Sequence, residues 1–105
     1  MEIKHLLQSA RSQLNQLYGP RLRGVVLYGS EARREARPES DIDLLVLLDG
    51  PVDTYKELLR ITRALYPLQM DACDRAIAAL PVDFARYQSG EFQLYRTAKK
   101  EGIAL

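Results

Sequence analysis

Two aspartates separated by a single residue are the clearest candidates for chemistry in the 105-residue sequence. Asp41 and Asp43 fall on a predicted strand, where side chains alternate, so both carboxylates project from one face at a backbone separation of about 6.6 Å. Two carboxylates about 4 Å apart repel by roughly 4 kcal/mol at an effective dielectric near 20, and a divalent cation reverses that repulsion. Cys73 is the single cysteine, so a cysteine-based zinc site lacks ligands. Oxygen donors favour Mg²⁺ or Mn²⁺, whose coordination is usually completed by substrate phosphates.

A glycine-serine pair ahead of these aspartates has the features of a phosphate-binding turn. Gly29-Ser30 follows a predicted strand and precedes a predicted short helix. Glycine permits a tight turn there, and free N–H groups at the helix start can meet a phosphate. The Ser30 hydroxyl can add another hydrogen bond. Arg33, Arg34 and Arg37 follow; such clusters are usually solvated, and of the three only Arg33 is taken as a candidate for binding phosphate oxygens.

A third carboxylate would complete a site for two metal ions, which clamp the attacking and the leaving oxygen. Asp71 is the first candidate, because it falls on a strand predicted around 68–73. Asp74 is the alternative if the register of that strand is different.

Strands and helices alternate around these motifs. The apolar spacing predicts a helix over 2–18, a strand over 21–28, a short helix over 31–35 and a strand over 41–48. It further predicts a helix from 54 to 66, with Asp53 as its N-cap and Pro67 as its end, and a last helix over 84–100 capped by Asp83. Residues 103–105 are predicted to form a final short strand. The fold class expected is α/β, a small mixed β-sheet with helices packed on it.

The side-chain pattern also predicts which residues face each other. Along the second strand Leu45 and Leu47 share the face of the two aspartates, and the alternate residues from Ile42 to Leu48 line the other face. In the helix after it, one face is predicted to carry five residues towards the core: Tyr55, Leu58, Leu59, Thr62 and Leu65.

Length and composition set the broad class. A chain of 105 residues suits one domain, expected to span 1–105. Hydrophobic residues make up 47% and charged residues 28%, no apolar run is long enough to span a bilayer, and no secretory signal is recognisable. We therefore expect a cytoplasmic protein without a membrane partner. The formal charge of +1 gives no global attraction to nucleic acid, so no direct nucleic-acid partner is expected.

The stretches 27–33 (LYGSEAR) and 40–46 (SDIDLLV) together resemble the minimal nucleotidyltransferase signature of the DNA polymerase beta superfamily. The resemblance extends over nearly the whole chain and implies a polymerase-beta-like nucleotidyltransferase fold. By position it implies that Asp41, Asp43 and Asp71 are metal ligands, that Asp71 is the base for an acceptor hydroxyl, and that Gly29 and Ser30 bind the triphosphate.

The activity implied by the resemblance is a Mg²⁺-dependent transfer of AMP from ATP to a hydroxyl group, with release of pyrophosphate. Small stand-alone members pair with a HEPN-domain toxin as its antitoxin and adenylylate a tyrosine of that toxin, which implies a hetero-oligomer. Two other functions stay open at this point: a non-catalytic antitoxin that neutralises its partner by binding, and a transferase for a small hydroxylated molecule. Many members have glycine at the position of Arg34, so a reshaped loop is expected after the short helix.

Overall fold

The computed structural model describes residues 2–35, 37, 40–72 and 75–105. Its helices are α1 (Ile3–Tyr18), α2 (Gly29–Ala32), α3 (Thr54–Ala72), α4 (Phe84–Ser89) and α5 (Gln93–Glu101). Its strands are β1 (Leu22–Tyr28), β2 (Ile42–Leu48), β3 (Ile77–Asp83) and β4 (Ile103–Ala104). A 3-10 turn, Gly19–Arg21, joins α1 to β1. None of the helices in the described ranges is long and apolar enough to cross a bilayer.

The four strands form one mixed sheet in the order β3-β2-β1-β4. Strand β1 is antiparallel to both β2 and β4, whereas β2 and β3 are parallel. A parallel pair needs a long crossover connection, and α3 supplies it between β2 and β3. The sheet and its helices confirm the predicted α/β class with a small mixed sheet.

Strand β2 lies at the centre of the protein and is buried on both faces. Its residues Ile42, Leu44, Val46 and Leu48 pack with apolar side chains of α1 and α3. Leu45 and Leu47 pack on the opposite face with Tyr87 of α4 and Ala98 of α5. This alternation is the one predicted from the sequence, and it explains the continuous apolar run, because a strand covered on both faces has no solvent side.

The predicted third strand around 68–73 is wrong. Helix α3 continues through Pro67 to Ala72, and the third strand is β3, Ile77–Asp83. A proline inside a helix costs about 3 kcal/mol, but two residues beyond it have tertiary partners. Leu68 is buried in the core, and the Gln69 side chain accepts a hydrogen bond from the Ile77 N–H and donates one to the Arg75 carbonyl. These contacts hold the last turns of α3 against the start of β3.

The predicted inner face of α3 is also largely wrong. Among the described side chains of α3, the buried ones are Glu57, Ile61, Leu65 and Leu68. Of the predicted set only Leu65 is among them, while Tyr55, Leu58 and Leu59 are exposed. The helix is therefore rotated relative to the prediction and leaves apolar side chains in solvent.

The predicted last helix is divided into α4 and α5. Helix α4 ends at Gly90, which has a left-handed backbone with φ +68°, a conformation that glycine adopts at little cost. Asp83 caps α4 as predicted, because its side chain accepts hydrogen bonds from the N–H groups of Ala85 and Arg86. The predicted N-cap Asp53 likewise accepts from the Lys56 N–H at the start of α3.

Candidate active site

The aspartate pair lies at the beginning of the central strand. Asp41 is exposed and immediately precedes β2, and Asp43 is a half-buried residue of β2 itself. Burial raises the pKa of Asp43, and the negative charge of Asp41 raises it further. The two carboxylates are therefore close enough to repel each other, as the spacing in the sequence predicts.

The turn at Gly29 packs directly against one of these carboxylates. Gly29 has φ +74°, and a Cβ atom added to it would lie 2.5 Å from Oδ2 of Asp43. Tyr28, the residue before it, is the cross-strand partner of Asp43. Burial and the Asp43 charge raise the pKa of the Tyr28 hydroxyl. Gly29 thus joins the predicted phosphate-binding turn to the predicted metal-binding pair in a single site.

We expect Gly29→Ala to lower the free energy of unfolding by about 2 kcal/mol, because alanine disfavours the left-handed backbone and its Cβ must displace the Asp43 carboxylate. Gly24→Ala is the matched control, since a Cβ there would make only an ordinary 3.5 Å contact with Leu47. Urea unfolding of both variants measures the difference. Equal midpoints and slopes for the two would contradict the close approach of Gly29 to Asp43.

Helix α2 ends in a motif that places Arg34 in a backbone conformation usually occupied by glycine. The Arg34 N–H donates to the Glu31 carbonyl at 3.2 Å, and the Glu35 N–H donates to the Ser30 carbonyl at 2.9 Å. These two bonds form a Schellman motif, in which the residue after the helix is left-handed. Arg34 has φ +59°. Arginine here adopts the backbone conformation that glycine would favour.

We expect Arg34→Gly to stabilise the protein by about 1 kcal/mol, because it removes the cost of a left-handed non-glycine residue. Arg33→Gly is the control, since Arg33 has φ −84° and glycine there is expected to lower stability. Thermal unfolding of both variants measures the effect. A melting temperature that falls for Arg34→Gly as it does for Arg33→Gly would exclude this explanation.

Arg33 contributes positive charge to the aspartate pair. Its charge lowers the pKa of Asp43 and so partly offsets the effects of burial and of Asp41. The Arg33 side chain is bonded to Glu35 at 3.0 Å and lies 3.9 Å from Glu101 of α5. Arg33 is thus held near the site by carboxylates on both sides of the loop.

Arg75, which was not predicted from the sequence, connects three segments around the site. Its guanidinium group donates to a carboxylate oxygen of Glu31 in α2 and to the carbonyl oxygen of Ser40 at 2.8 Å. Ser40 immediately precedes Asp41. Arg75 therefore fixes the loop before β2 relative to the turn at Gly29. Nothing in the local sequence around Arg75 identifies these partners, which are 35 and 44 residues away.

The third predicted carboxylate does not lie on a strand beside the pair. Asp71 is an exposed residue in the last turn of α3. That helix packs on the sheet face of Leu44 and Val46, opposite to the face of Leu45. Asp74, the alternative, lies outside the described residues.

The donor set fits a divalent cation bound by oxygen. Within the described ranges, no group of three or more His, Cys, Asp and Glu side chains converges in the manner of a complete metal site. The pair alone nevertheless concentrates two carboxylates whose mutual repulsion and partial burial are only partly offset by Arg33. A cation supplies the positive charge that this arrangement lacks, and carboxylates are the donors that Mg²⁺ and Mn²⁺ prefer.

Solved structures with the same fold include two relevant proteins. One is a protein from Sulfolobus solfataricus described as a candidate nucleotidyltransferase. It is 18% identical, the TM-score is 0.68, and the match covers 95% of this chain and 76% of that one. The other is a toxin-antitoxin structure with AMP-PNP, 19% identical with a TM-score of 0.55, covering 92% of this chain and 70% of that one. At these identities the likeness shows the shared fold.

A comparison with curated proteins gives no match. The family model for the nucleotidyltransferase domain matches residues 7–105, which include the Gly29 turn, the aspartate pair and all four strands. The chain therefore belongs to the nucleotidyltransferase domain family.

Proposed function

We propose that this protein transfers AMP from ATP to a tyrosine hydroxyl of a partner toxin with a HEPN domain and thereby acts as its antitoxin in the cytoplasm. The observation that carries the proposal is the contact between Gly29 and the Asp43 carboxylate. It places a turn suited to phosphate beside carboxylates suited to a divalent cation. A nucleoside triphosphate carrying Mg²⁺ needs both in one place.

Each side chain then has a distinct role. Asp41 and Asp43 hold Mg²⁺, or Mn²⁺, which when bound neutralises charge on the triphosphate. The first N–H groups of α2 have no intrahelical partners, and Tyr28 supplies no side-chain cap for them. Together with the Ser30 hydroxyl they bind phosphate oxygens, and Arg33 adds a positive charge at the rim. Hydrogen bonds from Arg75 to Glu31 and Ser40 fix the turn at Gly29 relative to the aspartate pair.

The reaction is a displacement at the α-phosphorus of ATP. The acceptor hydroxyl oxygen forms a new bond to that phosphorus, and the bond to the oxygen bridging to the β-phosphate breaks. Pyrophosphate leaves, and the hydroxyl proton passes to a carboxylate acting as base. The products are the AMP ester of the acceptor and pyrophosphate.

The base is either Asp71 or Asp74. Asp74 is the stronger candidate, because it stands three residues before β3 in the sequence, and β3 is parallel to β2, which Asp41 directly precedes. We expect Asp74→Asn to reduce the rate of transfer by at least about 100-fold, a typical contribution of a general base. Asp71→Asn is expected to lower the rate of transfer by less than about threefold, because a residue that is not the base does not make this contribution. Steady-state transfer rates of the two variants decide between the two aspartates. A larger loss for Asp71→Asn than for Asp74→Asn would identify Asp71 as the base.

A partner protein as acceptor is supported by two observations. The fold is shared with a toxin-antitoxin structure that contains AMP-PNP. The family model covers residues 7–105, so nearly all of these residues belong to the transferase domain itself, and a separate protein can supply the acceptor hydroxyl. The non-catalytic alternative rested on Arg34, and the Schellman motif in which Arg34 ends α2 favours the catalytic function over it.

The position of the label in ATP tests the reaction type. The protein is incubated with Mg²⁺ and the product of the neighbouring gene, using ATP labelled in either the α- or the γ-phosphate. We expect the α-label on the partner and the γ-label in pyrophosphate. A γ-label on the partner would indicate phosphoryl transfer and would exclude the proposed reaction.

A further inference from the structure

The outward side of α3 carries an apolar stripe. Five side chains recur along it at helical spacing and are 39% to 74% exposed: Tyr55, Leu58, Leu59, Tyr66 and Met70. Single exposed apolar residues are common, but a continuous stripe on one helix marks an interaction surface. We call these residues the α3 stripe.

A groove of about 410 Å³ lies beside the α3 stripe. Its walls include Leu58, Thr62 and Tyr66 of α3, together with residues 77–80 of the edge strand β3. Tyr28 also lines it. Ala78, within that stretch of β3, is the neighbour of Asp43 in the sheet register, and Tyr28 is the neighbour of Asp43 on the other side. Both sheet neighbours of Asp43 therefore line the groove, while α3, its other wall, packs on the sheet face opposite to the Asp43 carboxylate.

The edge strand is poorly suited to pairing with another strand. Gln69 already hydrogen-bonds the Ile77 N–H and the Arg75 carbonyl. Pro81, further along β3, has no N–H group to donate. Strand addition needs a row of free backbone groups, which these residues interrupt at both ends. A helix that buries apolar side chains in a groove needs no such row.

The border of the α3 stripe is basic. Lys56 and Arg63 are exposed and seven residues apart, so they lie along one edge of the stripe. Neither side chain forms a salt bridge with any residue that the structure describes. A complementary surface would place carboxylates opposite them.

We infer that the groove and the α3 stripe bind an amphipathic helix of the partner protein, with an apolar face bordered by Asp or Glu, and position the acceptor hydroxyl at Asp43. The inference rests on the proposed function and names its acceptor-docking surface. Binding there would bring a partner residue beside Tyr28 and Ala78, the two neighbours of Asp43 in the sheet. Docking and catalysis would then use adjoining surfaces made of different residues.

The test uses the full chain and the product of the neighbouring gene. Tyr55→Asp/Tyr66→Asp disrupts the α3 stripe at residues that are 74% and 59% exposed, so the fold should tolerate it. Phe92→Asp is the matched control: Phe92 is 50% exposed, stands at the N-cap of α5 and lies outside the groove. Affinity for the partner, affinity for ATP without the partner, and transfer of α-label are measured for each.

We expect the double variant to bind the partner about 30-fold more weakly or worse, the effect of losing one interface hot spot, and to lose transfer in proportion while binding ATP normally. Phe92→Asp should match the wild type. Lys56→Glu/Arg63→Glu should weaken association most at low salt.

Unchanged partner affinity in the stripe variant would overturn the docking surface and leave the proposed transfer standing. The absence of any wild-type complex with this partner would overturn the docking surface and also exclude this partner as the acceptor. Weaker ATP binding without the partner would assign the groove to the nucleotide, and a dimer of this chain dissociated by the variant would assign the stripe to self-association; either result overturns the inference. A complex that depends on the stripe but shows no transfer would support the surface and refute the proposed function.

Discussion

Replacing Asp41 and Asp43 together by asparagine is expected to abolish AMP transfer while leaving the fold and the complex with the partner intact. Asparagine keeps the size of each side chain but removes both negative charges, so the site loses its affinity for a divalent cation. Replacing a residue that only hydrogen-bonds a metal ligand typically lowers activity by about 10- to 100-fold. Replacing both ligands themselves should lower the transfer rate by about another factor of ten. Removing the repulsion that raises the pKa of Asp43 should not destabilise the apo protein.

Asp49→Asn is the matched control for this double variant. Asp49 directly follows Leu48, at the opposite end of β2, and its side chain pairs with Arg23 on the surface. The Asp49→Asn variant should transfer AMP at the wild-type rate. Transfer rates measured over a range of Mg²⁺ concentrations distinguish weaker cation binding from a direct effect on chemistry. A double variant that transfers AMP at the wild-type rate would show that these carboxylates are not the metal site.

Glu57→Gln is expected to give the largest loss of stability away from the site. Glu57 is 2% exposed and accepts hydrogen bonds from the Tyr18 hydroxyl at 2.9 Å, from Arg21 at 3.0 Å and from Arg60 at 3.1 Å. This cluster ties α1 and the turn before β1 to α3. Breaking a buried ion pair costs about 3 to 5 kcal/mol. We expect about 3 kcal/mol here, because the two arginines remain about one-third exposed.

Glu91→Gln provides the comparison, since Glu91 pairs with Arg86 on the surface, where both side chains are at least 40% exposed. Its cost should be below about 1 kcal/mol. Chemical unfolding at neutral pH measures both. Equal losses for the two substitutions would contradict a structural role of the Glu57 cluster.

The pH dependence of this difference has a definite sign. Burial alone would raise the pKa of Glu57, but hydrogen bonds from Arg21 and Tyr18, with the charges of Arg21 and Arg60, hold it below its usual value. The stabilisation is therefore fully present above the pKa of Glu57 in the unfolded chain. It is lost as pH falls through the lower pKa of the folded state. The gap between wild type and Glu57→Gln should shrink on acidification over that interval.

The central part of the site could be predicted because its determinants are close together in the sequence. Gly29-Ser30 and the aspartate pair lie at the two ends of a single connection between two antiparallel strands. The apolar runs on either side specify those strands, so spacing alone brings the motifs together. The contact of Gly29 with Asp43 then follows from the register in which Tyr28 faces Asp43.

The region after α3 could not be predicted for the opposite reason. Pro67 is a strong local signal for a helix end, and the contacts of Leu68 and Gln69 that outweigh it involve residues of the sheet. The same difficulty applies to Glu57, which looks like a surface residue of α3 until its partners Tyr18 and Arg21 are brought to it by folding. Likewise, an apolar stripe on α3 cannot be distinguished from a core face by periodicity alone, since both have the same spacing.

The intact mass of the partner protein is the most direct test of the account. The two pure proteins are incubated with ATP and Mg²⁺, and the partner is then examined by mass spectrometry, with parallel reactions containing EDTA or the Asp41→Asn/Asp43→Asn variant. We predict a mass increase equal to one or more AMP units on a partner tyrosine, absent from both parallel reactions. A partner of unchanged mass, recovered from a stable complex that has bound ATP and Mg²⁺, would contradict the proposed transfer and identify the protein as one that acts by binding.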